Sequence, residues 1–400
     1  MATEWLSSKE AARRLGVSAA TLYAYVSRGL LRSEGTNGQR ERRYRADDVA
    51  QLKRRRDVGR KAESIAANAL DFGTPVLESS LTLIENGRLF YRGQDATRLA
   101  RNTSIEQIAQ LLWDCDDRPF AARNLPPLSA ALRSAWQAAS ALPPVDACLV
   151  LLPAAARWDH PSWVEDRTAM LETGARIVRL LAAAVTGQPL SDRPIHEQVA
   201  AAWNVPPEQA TLIRAALVLS ADHEFNASAF AARVVASTGA NLYASTMAGL
   251  VAINGPRHGG LTRRVASLLA DLRQVTDIDA ELARRVCERI YIPGFGHQLY
   301  PDGDVRAVAL FAMMRELVPG AELAFAERVA GAVEQQIDRK PNVDFATVTL
   351  ERVLGLPKDS ALALFLLGRT VGWIAHAIEQ AAHGALIRPR ARYTGPRPGA

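Results

Sequence analysis

Ala221-Asp222-His223-Glu224-Phe225-Asn226-Ala227-Ser228 and Gly255-Pro256-Arg257-His258-Gly259-Gly260 bracket an alanine-rich apolar run. Phe230, Val234 and Val235 follow the first segment at helical spacing, and Asn226 is a residue type that starts such a helix. Gly255-Pro256 breaks the pattern, so His258 falls in a tight turn flanked by glycines, where a backbone can approach a ligand closely. A lone histidine is most often a satisfied structural residue. Two in such settings, followed by a third in Gly294-Phe295-Gly296-His297, point to a site instead.

Four hundred residues exceed what one core usually holds, so two or more domains are expected. A hydrophobic fraction of 48% with 22% charged residues is that of a globular chain. No uninterrupted apolar run is expected to span a bilayer, and residues 1–13 lack the design of a signal peptide. Cys115, Cys148 and Cys287 are an odd number without metal spacing; they suit a reducing compartment, and a cytoplasmic location is expected. The charge is uneven. Residues 1–62 hold 15 Lys and Arg against 7 Asp and Glu, a local +8, whereas the whole chain carries +6.

In that basic segment, Ser7 and Glu10 predict a capping box for a helix with Ala11, Ala12 and Leu15 inward. Gly16-Val17-Ser18 reads as a turn, and Ser18 as the cap of a second helix carrying Leu22 and Val26 inward. Leu30-Leu31-Arg32 and Arg42-Arg43-Tyr44-Arg45 read as a hairpin wing around Thr36-Asn37-Gly38, and a third helix begins at Asp47-Asp48. Spacing and turn composition are those of a helix-turn-helix. The segment resembles the winged helix-turn-helix of MerR-type regulators and excisionase-like proteins. The resemblance implies contacts with duplex DNA: Tyr23, Ala24 and Ser27 toward base edges, and Arg28, Arg42, Arg43 and Arg45 on phosphates. A small domain for protein contacts is the alternative.

From Lys61 to Leu70 an alanine-rich helical connector is expected. Glu85-Asn86-Gly87 predicts a small hairpin, and from Ile105 onward the chain reads as helix after helix. Ile105, Ile108, Leu111 and Leu112 make one inward face; Ile177, Leu180, Leu181 and Val185 make another.

The two histidine segments, the G-F-G-H loop, Asp304-Val305-Arg306 and Pro341-Asn342-Val343-Asp344, taken in order, resemble the citrate synthase family. The resemblance implies a mainly α citrate synthase fold behind the helix-turn-helix: residues 1–62 the winged domain, 63–258 and 350–400 the large domain, and 259–349 the small domain. It also implies an acyltransferase of the tricarboxylic acid cycle that joins acetyl-CoA to oxaloacetate as a homodimer. No cofactor beyond the thioester and no metal are expected. By the same resemblance Asp344 is the base, His258 the donor to the thioester carbonyl and His297 the donor to the keto oxygen. His223, Arg306, Arg369 and Arg388 would hold the oxo acid, Arg388 from a neighbouring subunit. Ile292, Pro293, Gly294, Phe295 and Gly296 would embrace the CoA adenine.

Each residue has a plainer reading; Asp344, after Pro-Asn-Val, has the composition of a helix cap. Arg257, Val305 and Gln298-Leu299-Tyr300-Pro301 depart from the family pattern, and the last change removes two cations near the expected CoA site. Arg263, Arg264 or Arg339-Lys340 are candidates to replace them. Two alternatives stand beside the leading one: a 2-methylcitrate synthase using propionyl-CoA, and a transcriptional regulator with a synthase-like sensor body. A pure sensor needs the arginines but no base at 344.

Overall fold

The Glu10 amide donates to Ser7 Oγ (3.3 Å) and the Ser7 amide to Glu10 Oε2 (3.0 Å), so helix Ser8–Leu15 starts in the expected capping box. The structure is a computed structural model that describes residues 5–17, 19–27, 31–35, 42–50, 52–53, 77–115, 119–121, 124–126, 129–157, 159, 166–391 and 393–397. It divides into two units, Met1–Glu78 and Ser79–Ala400.

In the first unit Gly16, with φ of 62°, ends the first helix, and the second runs Ala19–Ser27. Strand Arg42–Arg45 lies between Trp5–Ser7 and Ser33–Gly35, antiparallel to both. The wing therefore begins at Ser33 rather than at Leu30-Leu31-Arg32, because Leu31 is drawn into the core with Leu6, Ala11, Leu15, Leu22, Tyr44 and Val49. The Trp5–Ser7 strand is not visible in the sequence: three residues gain strand character only from their partner. Ala12 and Val26 pack at the edge of this core, and residues 46–50 are helical, beginning one residue before Asp47. The expected cap at Ser18, the turn at residues 36–38 and the connector at residues 61–70 lie outside the described residues.

The second unit opens with the expected hairpin, Thr82–Glu85 paired with Arg88–Tyr91 around Asn86-Gly87, and Gln94–Asp95 adds a third strand. Beyond Asp95 the elements of the described residues are helices. Ile105, Ile108 and Leu112 are buried as predicted, with Leu111 packed at the margin. Helix Arg167–Thr186 departs from expectation: from Thr173 to Val185 it is buried on every side rather than along one face. Ser360–His383 is the central helix, packed on Ala227–Ala236, Leu242–Ile253, Ile105–Trp113 and Ala210–Leu219. By length and mean hydropathy this helix is apolar enough to cross a membrane, but Arg369 and His376 interrupt its apolar run and its apolar window is entirely buried within the protein. An all-round apolar helix is what such a central position demands. Leu261–Leu272, Ile278–Cys287, Val305–Leu317, Ala321–Ile337 and Val343–Val353 pack largely on one another, and the last also packs on Ser360–His383.

Candidate active site

Asn226 accepts the Ala229 amide (3.1 Å) and so caps helix Ala227–Ala236, as its sequence predicts. Its Nδ2 donates back to the His223 and Glu224 carbonyls (3.2 and 3.3 Å), folding the turn over the helix start. Glu224 has φ of 49°, a left-handed conformation unusual for a side-chain-bearing residue. It is held there as its Oε1 accepts the Ile84 amide (3.2 Å). The turn buries His223 edge-on to His297, with ring centroids 5.0 Å apart, and its Nε2 lies 3.0 Å from Tyr300 Oη.

His297 Nδ1 accepts the Leu299 amide (3.2 Å), so the neutral ring carries its hydrogen on Nε2. His258 sits in the tight turn read from its glycines; its amide donates to Gly255 O (2.9 Å) and its ring meets Phe365 edge-on. Ser228 Oγ lies 2.7 Å from His258 Nε2 and 2.8 Å from Asn226 Oδ1. A hydroxyl has one hydrogen: donated to Asn226 Oδ1 it leaves Ser228 Oγ to accept from His258 Nε2–H, and turned to His258 Nε2 it leaves the imidazole hydrogen on Nδ1.

Asp304 caps helix Val305–Leu317 through the Arg306 amide (3.0 Å) and accepts Arg306 Nε (2.9 Å) and Nη2 (2.8 Å). It also accepts the Val343 amide (2.9 Å), at the start of helix Val343–Val353. Asn342, not Asp344, caps that helix, accepting the Asp344 and Phe345 amides (3.1 and 3.3 Å). The plainer reading of Asp344 as a cap is therefore corrected: the two-residue reach of the Asn342 amide serves the orphan N–H groups, leaving the Asp344 carboxyl out of the cap. Arg369, on the central helix, donates Nε to Ser220 O (2.8 Å), while its buried Nη2 has no hydrogen-bond partner among the described residues.

Electrostatics join these groups. Burial pushes Asp344 up to about 7, against the pull of the Arg306 and Arg369 guanidinia. Burial lowers His258 to about 3 with help from Arg369, lowers His297 to about 4 with help from Arg306, and puts His223 well below its usual range. Near neutral pH the three imidazoles are uncharged while Asp344 titrates. Burial also takes Arg369 down to about 10, still a cation at neutral pH.

Ile292, Pro293, Gly294 and Phe295 are buried. Gly294 O accepts the Asn342 amide (2.9 Å) and the Gly296 amide donates to Lys340 O (2.8 Å), so part of this loop's backbone pairs with the segment leading to Asp344. Gly296 has φ of 75°, and a side chain there would press on Arg339 Cδ at 3.0 Å. Of the candidate replacement cations, Arg263 is paired with Asp359 (3.1 Å) and Arg264 lies over the Tyr291 ring. Arg339 crosses Gly296, and Lys340 Nζ donates to Asp302 O (3.2 Å). Val305 is simply the first helical residue after the Asp304 cap, and Arg257 is exposed. Arg388 is exposed in the tail, just after Ile387 is tied by its amide to Ser237 Oγ (3.1 Å).

The family profile described as "Citrate synthase, C-terminal domain" matches residues 70–390. The chain belongs to the citrate synthase family. It is 30% identical to citrate synthase 2 of Bacillus subtilis over 365 residues, covering 81% of this chain and 95% of that one. To 2-methylcitrate synthase 1 of Corynebacterium glutamicum it is 34% identical over 183 residues, 45% of this chain and 48% of the relative. Among solved structures, citrate synthase of Thermotoga maritima superposes with a TM-score of 0.69 at 29% identity, covering 81% and 94% of the two chains. A helix-turn-helix profile matches residues 5–57 ahead of the citrate synthase body.

On the helix-turn-helix unit Tyr23 is exposed, as are Arg42 and Arg43 on the central strand, while Arg45 is half-buried and its Nε has no hydrogen-bond partner among the described residues. The Ala24 and Ser27 side chains and Arg28 lie outside the described residues. In the citrate synthase body, Ser228, Tyr300 and Asp304 were not among the sequence-predicted site residues. Asp304 had a signal, since an acid two residues before an arginine at a helix start serves as cap and counter-ion together.

Proposed function

We propose that this chain condenses acetyl-CoA with oxaloacetate to give citrate and CoA. The observation that carries the proposal is the field shared by Arg306 and Arg369, within which a carboxyl held up to about 7 stands with three neutral imidazoles. In this reading Asp344 removes the α-proton of the thioester while His258 donates to its carbonyl oxygen as the enol(ate) forms. The α-carbon then bonds to the keto carbon of the acceptor, and His297 donates to the keto oxygen as it becomes an alcohol. Water releases CoA from the resulting thioester. His223, Arg306 and Arg369 hold the oxo-dicarboxylate, the unpartnered Arg369 Nη2 being a ready carboxylate donor. Arg388, exposed in one chain, completes the site of a second subunit in a homodimer.

Ile292–Gly296 receives the CoA moiety, and Arg339 and Lys340 supply cations on its flank. Residues 259–349 form the small domain, against 63–258 and 350–400, and carry His297, Arg306 and Asp344. No group beyond the CoA thioester is required by these steps. The odd set of Cys115, Cys148 and Cys287 supports a cytoplasmic setting. The relative from Corynebacterium glutamicum gives propionyl-CoA a place as second thioester, since one methylene is worth only about 1–3 kcal/mol in an apolar pocket. The winged unit, with Tyr23, Arg42 and Arg43 exposed, binds duplex DNA.

Release of CoA from acetyl-CoA and propionyl-CoA with oxaloacetate tests the reaction, and Asp344→Asn is expected to lower kcat by about a thousandfold while oxaloacetate still binds. Undiminished turnover in that variant removes Asp344 from the base role. For DNA, an electrophoretic shift series in rising salt, with the parent protein and Arg42→Ala/Arg43→Ala, decides. A shift that weakens with salt and in the variant is expected; equal behaviour of both leaves the unit as a protein-contact module.

A further inference from the structure

Helix Ser360–His383 presents to the Asp222–Asn226 turn a buried histidine that none of the proposed chemical steps uses. His376 is fully buried, with Nε2 3.2 Å from Asp222 Oδ1 and Nδ1 3.5 Å from Arg233 Nη1. The Asp222–His376 contact is at ion-pair distance, off the line of a hydrogen bond. Its ring also packs on Phe225, with centroids 5.2 Å apart. One imidazole thus touches the residue before His223 and the residue two beyond it.

The surroundings leave His376 little freedom. Asp222 is fully buried, and its other oxygen accepts Thr82 Oγ1 (2.6 Å). Arg233 stands over Phe225, donates Nε to Gln380 Oε1 (2.8 Å) and is paired with Glu379, which in turn accepts the Ser80 amide (2.8 Å). The helix reaches the turn because position 372 is glycine: a Cβ there would lie 2.6 Å from Asp222 Oδ1. The Arg233 guanidinium faces Nδ1, which leaves Nε2 as the ring atom turned toward the carboxylate.

We propose that His376 is a positioning residue for His223: through Asp222 and Phe225 it sets the turn that aims the His223 ring at Tyr300 and His297. This rests on the reading of His223 as an oxo-acid ligand, but its first test does not. A buried carboxylate oxygen that loses its nearest polar neighbour seeks another partner, and the turn carrying it shifts.

The experiment compares His376→Leu, which keeps bulk without a donor, with His376→Gln, which keeps a donor of similar reach. Nitrogen-15 imidazole spectra without substrate should show the His223 signals displaced in His376→Leu and close to those of the parent in His376→Gln. The oxaloacetate KM should rise about tenfold or more in His376→Leu and return to within about threefold in His376→Gln, with the acetyl-CoA KM within twofold in both. If His376→Leu does not fold, Thr82→Val removes the hydroxyl that donates to Asp222 Oδ2 and is expected to displace the same signals. Unmoved His223 signals, or two KM values rising together, overturn the proposal. Absence of turnover in the parent overturns the condensation reading while the spectra still decide this one.

Discussion

Arg306 and Asp304, two residues apart, form a two-point ion pair with both side chains buried, and the same carboxylate accepts the amide that starts the Asp344 helix. The cation proposed to hold the substrate and the carboxyl proposed as base are thereby referred to one anchor. Replacing one partner of such a pair strands a buried charge, which typically costs about 3–5 kcal/mol. Asp304→Asn is expected to lower the urea midpoint accordingly and to weaken oxaloacetate binding. A loss under about 1 kcal/mol in a urea titration contradicts this anchoring.

Asp344 predicts opposite pH trends for rate and stability. Its folded-state value of about 7 lies above the 3.8 of an unperturbed carboxyl. Between those values the unfolded chain has released a proton that the folded one keeps, so this contribution to stability is present at low pH and lost as pH rises through 7. A base must be ionised, so kcat/KM should rise with pH through about 7. The lowered His258 and His297 stay neutral above about pH 5 and add no limb there. Thermal melts from pH 4 to 8 should show Asp344→Asn gaining on the parent as pH rises; a constant gap excludes the shift.

Arg339 and Lys340 lie along the loop from Gly296 to Gly303, where Gln298 and Pro301 stand. If they meet the phosphates of the thioester, Arg339→Ala/Lys340→Ala should raise the acetyl-CoA KM about tenfold, one charge-assisted contact being worth about 1.5–3 kcal/mol. The oxaloacetate KM should stay within twofold. Steady-state kinetics with each substrate in turn measure both, and an unchanged acetyl-CoA KM assigns the cations to the surface.

Arg388→Ala and His258→Ala proteins, each impaired alone, should recover activity when mixed under conditions that exchange subunits. A hybrid dimer would hold one site with both residues intact. Proven exchange without recovery would falsify the cross-subunit role.

Much of the local structure was legible in the sequence. The capping box at Ser7 and Glu10, the Asn226 cap and the Asn86-Gly87 hairpin arise from contacts within three or four residues, which sequence records directly. The Trp5–Ser7 strand and the full burial of Arg167–Thr186 were not legible, because pairing and packing partners lie far along the chain. Sequence spacing likewise could not separate Asp344 as cap from Asp344 as free carboxyl; the Asn342 side chain, two residues earlier, settles which takes the amides.

By itself the sequence determined the residue types and their order: histidines beside turn-forming residues, an arginine and a carboxyl each beside a capping residue, and a basic helix-turn-helix in front. The tertiary structure alone decided the company those groups keep. Asp304 meets Val343 across 39 residues and His376 meets Asp222 across 154, distances over which no local propensity acts. Burial in that assembled interior, which penalises charge, is what holds Asp344 up to about 7 and keeps the histidines neutral.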